Sequence, residues 1–250
     1  ITYELWDSVR TWATSNGYTF STSSGIKGSS DSGSVLQPVT IITWRDAMVF
    51  SNAITEWYNA NSGTTYTCAY YTDAAYTVPI RTSTDNLSVC VVPGCEDLPY
   101  VKSTATGFRM PTRDEWELAA KYKGSDSSNG AIEKPAGSGY YWTPSNYASG
   151  ATADYNNATP TKAVAWYSAN AGGTTQPVKG KTTNVLGLYD MSGNVDEWTF
   201  DWYPGHVGDW RICMGGPYTA AANAVEVGFI DLSVPYIGHT WVGFRLAMPQ

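Results

Sequence analysis

The stretch Gly107-Phe108-Arg109-Met110-Pro111-Thr112-Arg113-Asp114-Glu115-Trp116-Glu117-Leu118-Ala119-Ala120 carries both a helix start and a buried helix face. Thr112 stands three residues before Glu115, the spacing at which a hydroxyl and a carboxylate satisfy each other's backbone N–H groups. Asp114 and Glu115 then face the positive end of the helix, while Lys121 and Lys123 lie towards its negative end. Trp116, Ala119 and Ala120 form a small, closely packing face, so the spacing predicts a helix beginning at Thr112 with Trp116 in the core.

Two more helices read outward from there. Leu5, Val9 and Trp12 make an apolar stripe over Tyr3 to Ser15, stopped by Asn16-Gly17. Trp44 to Ala60 carries Ala47, Phe50, Ile54 and Trp57 on one face, with a Thr43/Asp46 capping pair before it and Asn61-Ser62-Gly63 after it. The remainder reads as short strands and long turns. Val39-Thr40-Ile41-Ile42 is a β-branched run. The stretches 124–139 and 148–161 have no period and are expected as loops. No linker or repeat divides residues 1–250, so one α+β domain is expected.

Composition limits the function. The net charge of −7 argues against nucleic-acid binding, which needs basic patches to neutralise phosphate. With 11 Trp and 18 Tyr the chain can build a core and is not disordered. No apolar run approaches a membrane span. The sequence opens at Ile1-Thr2-Tyr3 already inside a helical pattern, as a trimmed piece would. Zinc patterns, phosphate loops and nucleophile elbows are absent. Cys90 and Cys95 bracket a tight Val-Val-Pro-Gly turn, and the spacing leaves both a bridged and an unbridged pair open.

The 107–120 stretch resembles the G-[FY]-R-L-P-T-x-x-E-W-E-x-A-A signature of the formylglycine-generating enzyme (sulfatase-modifying factor) family. Asn184-Val185-Leu186-Gly187-Leu188-Tyr189-Asp190-Met191-Ser192-Gly193-Asn194-Val195-Asp196-Glu197-Trp198 resembles that family's second signature. Gly215-Gly216 with Gly243-Phe244-Arg245 resembles its third, and Pro38 to Ala47 a segment upstream. The resemblance implies a C-type-lectin-like fold with the elaborations of that family. By residue type, Trp116, Trp198 and Tyr189 are expected in the core, and Arg109 and Arg245 are expected to brace loops through carboxylates or carbonyls.

The departures from the pattern bear on function. Family oxidases hold copper with a cysteine pair between the last two elements. Residues 217–242 contain no cysteine, and Cys213 stands alone before the glycines. Cu(I) selects thiolate ligands. The related sulfoxide synthases hold iron with three histidines, whereas His206 and His239 are the two present. Asp196 stands where the family has tryptophan. No catalytic residue is therefore assigned, and an oxidase or other divergent enzyme is the alternative reading.

Residues 217–242 show neither strand alternation nor a helical stripe and mix aromatic with small polar residues. They resemble the variable region of proteins diversified by retroelements, which display hypervariable residues on a lectin-like fold. In that system template adenines are mutagenised, and Tyr218, Thr219, Phe229, Ile230, Leu232, Ser233, Val234, Tyr236, Ile237, His239 and Thr240 are all reachable from an AAC codon. Glu226 and Trp241 are not, and are expected to be invariant. The implied ligand-binding face comprises these eleven residues with Ala220, Ala221 and Trp241. Aromatic anchors amid small polar residues have the physics of a paratope. The resemblance implies a cell-surface location, as an outer-membrane lipoprotein held by a lipid anchor outside this chain, or an extracellular one, with an extracellular protein or glycan as partner. No cofactor is expected beyond a structural calcium ion, whose ligands by resemblance would be Asp190, Gly193, Val195 and Glu197. The acid-bearing triplets of calcium-dependent sugar lectins are missing, since Gln37-Pro38 and Gln176-Pro177 each continue with valine.

Overall fold

A computed structural model describes residues 1–249. Helix α1 spans Tyr3–Thr14 and is capped by Thr2, whose hydroxyl accepts from the Leu5 N–H at 3.3 Å. Its buried residues are Trp6, Val9 and Ala13, so the stripe is centred one position away from Leu5 and Trp12, which flank it half-buried. Strands β1 (Ile26–Lys27) and β2 (Val39–Thr40) form a short antiparallel ladder. The β-branched run stops there because Ile41 takes a left-handed φ of 52°.

Helix α2 runs over Trp44–Ser62, two residues past the expected end, and stops at Gly63 with φ 69°. Both halves of its Thr43/Asp46 capping box form. It is buried on every face from Trp44 to Thr55, which is why one apolar stripe understates it. The ladder of β3 (Tyr70–Tyr71) with β4 (Tyr100–Val101) lies beyond it. Helix α3 spans Arg113–Lys121. The Thr112 hydroxyl accepts from Glu115 N–H at 3.2 Å, and the Glu115 carboxylate accepts from Thr112 N–H at 2.9 Å. Thr112→Ala is expected to cost about 0.5–2 kcal/mol in urea denaturation. A loss no larger than at the exposed Thr11 would contradict this role for the box.

Both stretches expected as loops contain structure. Ile132–Glu133 (β5) pairs with Tyr141–Trp142 (β6). Ala158–Val164 is α4, capped by Asn157. Pro160 disguises this helix in the sequence, yet it lies in the first turn, where no helical N–H partner is lost.

The last third of the chain builds the main sheet. Strands β7 (Asp196–Trp202), β8 (Arg211–Met214), β9 (Ile230–Ser233) and β10 (Val242–Phe244) order as β10-β7-β8-β9, with β10 parallel to β7 and the other pairs antiparallel. The run expected to lack strand character therefore supplies β9, an edge strand of four residues. It is too short for alternation to stand out. One core packs Trp6, Trp44, Phe50, Trp198 and Phe244 around α1, α2 and this sheet. A second packs Trp116 of α3 with Met191, Ile212, Met214 and Val227. Trp116 and Trp198 are buried as expected. Tyr189 is not: it is 36% exposed. Its loop closes on Asn184, whose side-chain oxygen accepts from the Leu186 and Leu188 N–H groups, leaving the tyrosine at the rim.

Candidate functional site

The variable run leaves the core at Gly215 and Gly216, both at positive φ (105° and 75°). A Cβ on Gly216 would lie 2.0 Å from the Ala224 carbonyl oxygen, so only glycine permits this turn. It folds Tyr218 inward, where it is 6% exposed and its N–H donates to the Asn194 carbonyl at 2.8 Å. Tyr218 is therefore removed from the expected face. Ser233 is removed too: it is 5% exposed at the end of β9. Its hydroxyl and the His239 Nε2, 3.1 Å apart, share a hydrogen bond.

The remaining positions divide by what their backbone does. Thr219 and Ala221 are exposed, while Ala220 and Ala222 lean on a small core of Ala148, Val164 and Val225. Ile230 and Leu232 sit half-buried against the Trp116 core, and Phe229 precedes them half-exposed. The turn carrying Val234, Tyr236, Ile237, His239 and Thr240 is fixed by its backbone. The Pro235 carbonyl accepts from Trp44 N–H at 3.1 Å, and the His239 carbonyl from Ile41 N–H at 2.9 Å. Gly238 lies so close to the Ile41 backbone that a Cβ would come within 2.6 Å of it. With the main chain held this way, side chains of the turn are left half-exposed, and Ile237 is 40% exposed. His239 stacks on Trp241 with ring centroids 4.4 Å apart, and Trp241 rests on the main core. Burial lowers the His239 pKa below the usual imidazole value, against the pull of Asp231.

The face is braced by residues that sequence reading passed over. Arg45, fully buried, donates to both Asp97 oxygens at 2.7 Å and to the carbonyls of Asn86 (2.6 Å) and Ser88 (2.9 Å). This holds the loop closed by the Cys90–Cys95 disulfide. The Tyr236 ring lies 5.7 Å from the same guanidinium. Arg211 is sandwiched between Trp44 (3.5 Å) and Trp202 (3.6 Å) and donates to the Asp97 carbonyl. Arg45 stands just inside a capping box, and nothing local in the sequence marks it for burial, since its partner Asp97 lies 52 residues on.

Beneath the run lies Asp196. Its Oδ1 accepts from Gly216 N–H at 2.8 Å, and its fully buried Oδ2 has no partner. Burial, then the nearby Asp231 carboxylate, raises its pKa well above the ordinary value. A raised folded pKa adds stability that is complete below the unfolded value of about 3.9 and is lost as pH rises through the folded value. Asp196→Asn, a neutral isostere, is therefore expected to stabilise the protein at pH 7 by about 1 kcal/mol or more. The gain should shrink as pH falls towards 4 in paired melts. Equal destabilisation at both pH values would contradict it.

The positions expected to hold calcium do not present a free oxygen set. Asp190, Val195 and Glu197 line one groove, but Gly193 does not line it, and the Gly193 carbonyl accepts from the Val195 N–H at 3.0 Å. Glu197 is occupied: its Oε2 accepts from Trp116 Nε1 at 2.7 Å and from Arg245 Nε, and its Oε1 from an Arg245 terminal nitrogen at 2.8 Å. A guanidinium seated on the main carboxylate does not fit a site for Ca²⁺, which takes six to eight oxygens. Among the described residues no group of three His, Cys, Asp or Glu is placed to hold a metal. Arg245 and Arg109 brace as expected, Arg109 meeting the Glu115 carboxylate at 2.6 Å. Cys213 is fully buried, and burial pushes its thiol well above its ordinary pKa, with Asp196 and Asp231 adding to the shift. It is not a thiolate at neutral pH.

Known proteins resemble this chain in sequence and fold. Chaperone protein LppX of Paenibacillus barcinonensis is 30% identical over 216 residues, covering 82% of this chain; the chain spans 65% of that relative's length. The crystal structure of CarF superposes with a TM-score of 0.70 at 27% identity, over 100% of this chain and 84% of CarF. Treponema denticola variable protein 1 superposes with a TM-score of 0.66 at 26% identity, over 99% of this chain and 81% of that one. Residues 2–249 match the model of the sulfatase-modifying factor enzyme 1-like domain. Motif order, the lectin-like elaborated fold and that match agree, and the chain belongs to the sulfatase-modifying factor enzyme 1-like domain family.

Proposed function

We propose that this chain is a non-catalytic, surface-displayed ligand-binding protein. Its binding face is formed by the outward residues between Thr219 and Trp241, diversified by a retroelement. The observation that carries the reading is the division of labour within the 234–241 turn: main-chain groups are tied to Ile41 and Trp44, while the side chain of Ile237 is exposed and those of Tyr236 and His239 are half-exposed. Such a turn can change side chains without changing shape. The likeness to Treponema denticola variable protein 1 supports it. The single, buried and protonated Cys213 counts against a copper oxidase. No helix among the described residues is long and apolar enough to cross a membrane, so a surface location would rest on a lipid anchor outside this chain. The ligand would be an extracellular protein or glycan.

Two measurements test this. Incubation with Cu(I), oxygen and a sulfatase-type cysteine peptide should leave the peptide mass unchanged; conversion to the aldehyde would overturn the non-catalytic reading. Deep sequencing of the coding region across a population should find substitutions concentrated at outward positions such as Thr219, Tyr236 and Ile237, with a near-copy of the segment beside a reverse transcriptase. Variation spread evenly over residues 2–249 would overturn the diversification.

A further inference from the structure

Between Arg211 and Arg245 the chain has no lysine or arginine, and its formal charges are Glu226 and Asp231. Asp231 is half-exposed in the middle of β9, opposite Cys213 of β8. Its neighbours Ile230 and Leu232 pack on the Trp116 core, so Asp231 and Ser233 belong to the other side of the strand. That is the side of the His239–Trp241 stack, because Ser233, two residues on along the strand, shares a hydrogen bond with His239.

Two carboxyl groups meet there without a cation. Asp231 Oδ1 accepts from its own Leu232 N–H at 2.8 Å, and the described ion pairs include neither Asp231 nor Asp196. Asp196 stands behind on the same face of the sheet, two residues before Trp198, which pairs with Cys213 as Cys213 pairs with Asp231; it is wholly buried, with Oδ2 unpartnered. A buried carboxyl oxygen with no donor is costly, and the raised pKa of Asp196 relieves that cost by favouring the protonated form. Asp196 also stands where the second signature of the family carries a large apolar ring, so the acid is a feature of the framework, not of the diversified positions.

Resting on the display reading, we propose that Asp231, backed by Asp196 and walled by His239 and Trp241, is an anchor for a guanidinium group, the side chain of an arginine on the protein ligand. A planar guanidinium forks onto a carboxylate and stacks on aromatic faces at the same time, which a compact ammonium does less well. Asp231 lies in the variable run, so the preference for arginine belongs to this variant; the Asp196 carboxyl would remain in others.

The test uses the whole chain and two probes, N-acetyl-arginine methylamide and its citrulline counterpart, which keeps the shape and loses the charge. In nitrogen-resolved NMR titrations the arginine probe should bind saturably with a millimolar Kd, shifting the Leu232 and Ser233 amides and the Trp241 indole. It should bind at least 10-fold more tightly than the citrulline probe. Asp231→Asn and Asp231→Ser, each shown by its melting curve to be folded, should weaken it at least 10-fold, whereas Asp114→Asn on the exposed face of α3 should not. Equal binding of the two probes, or unchanged binding in both Asp231 variants, would overturn the anchor. Proteins selected from a random library against this chain separate that failure from failure of the display reading. Binders lost in Tyr236→Ala but indifferent to Asp231→Asn would overturn the anchor and keep the face. Binders indifferent to both would overturn both.

Discussion

Trp116→Ala should lower the free energy of unfolding by about 3–5 kcal/mol, the loss usual for a large buried aromatic ring. The ring is 1% exposed and fills the space between Met191, Ile212, Met214 and Val227. The backbone has been shaped around it: a Cβ on Gly215 would lie 3.2 Å from the ring. Its indole N–H also donates to Glu197 at 2.7 Å, leaving that carboxylate to Arg245 alone when the ring is gone. The same core supports Ile230 and Leu232, so the floor of the proposed binding face would loosen with it. Trp116→Phe keeps most of the packing and loses the donor, and should cost about 1–3 kcal/mol. Urea denaturation of both variants checks the pair. A loss under about 1 kcal/mol in the alanine variant would mean that the site collapses without penalty.

Arg45→Ala should cost a similar amount, about 3–5 kcal/mol, for a different reason. Removing one partner of a wholly buried ion pair leaves Asp97 charged and unpaired, at 0% exposure. The carbonyls of Asn86 and Ser88 lose their donor at the same time. Amide exchange should therefore accelerate across residues 84–97, and Tyr236 should lose the cation beneath its ring. The double substitution Arg45→Met, Asp97→Leu should recover much of the loss, because hydrophobic replacements of a buried ion pair are often neutral. If Arg45→Ala melts with the parent and residues 84–97 remain protected, the arginine is not the brace.

These two residues also mark what could be read from the chain alone. The helix at Trp116 was legible because local chemistry decides it: the Thr112 and Glu115 side chains each satisfy a backbone group of the other within four residues. Cys90–Cys95 was left open by spacing and is bridged in the structure. Arg45 was not legible as a brace, because its partner Asp97 is 52 residues away and pairing at that distance leaves no local trace. Within the variable run, residue type gave the composition of a binding face but not its direction. Tyr218 and Tyr236 are the same residue, yet the glycine turn at 215–216 buries the first, and the tie of Pro235 to Trp44 leaves the second half-exposed. Glu197 was expected to offer its oxygens to calcium; Arg245, 48 residues on, takes them. Asp196 was visible only as a departure from a motif, and its unpartnered oxygen became apparent once β9 brought Asp231 beside it.

On the proposed reading, outward side chains of the run serve binding and not folding. The most direct measurement is a paired urea-denaturation series of Thr219→Ala, Val234→Ala, Tyr236→Ala, Ile237→Ala, His239→Ala and Thr240→Ala, with Trp116→Ala and Tyr218→Ala as buried controls. Exposed substitutions usually stay within about 0.5 kcal/mol, and half-exposed ones should stay well below the controls. Midpoints should stay near the parent for the outward set and collapse in both controls. If most of the outward set destabilise as much as Trp116→Ala, the turn is core and the binding face does not exist.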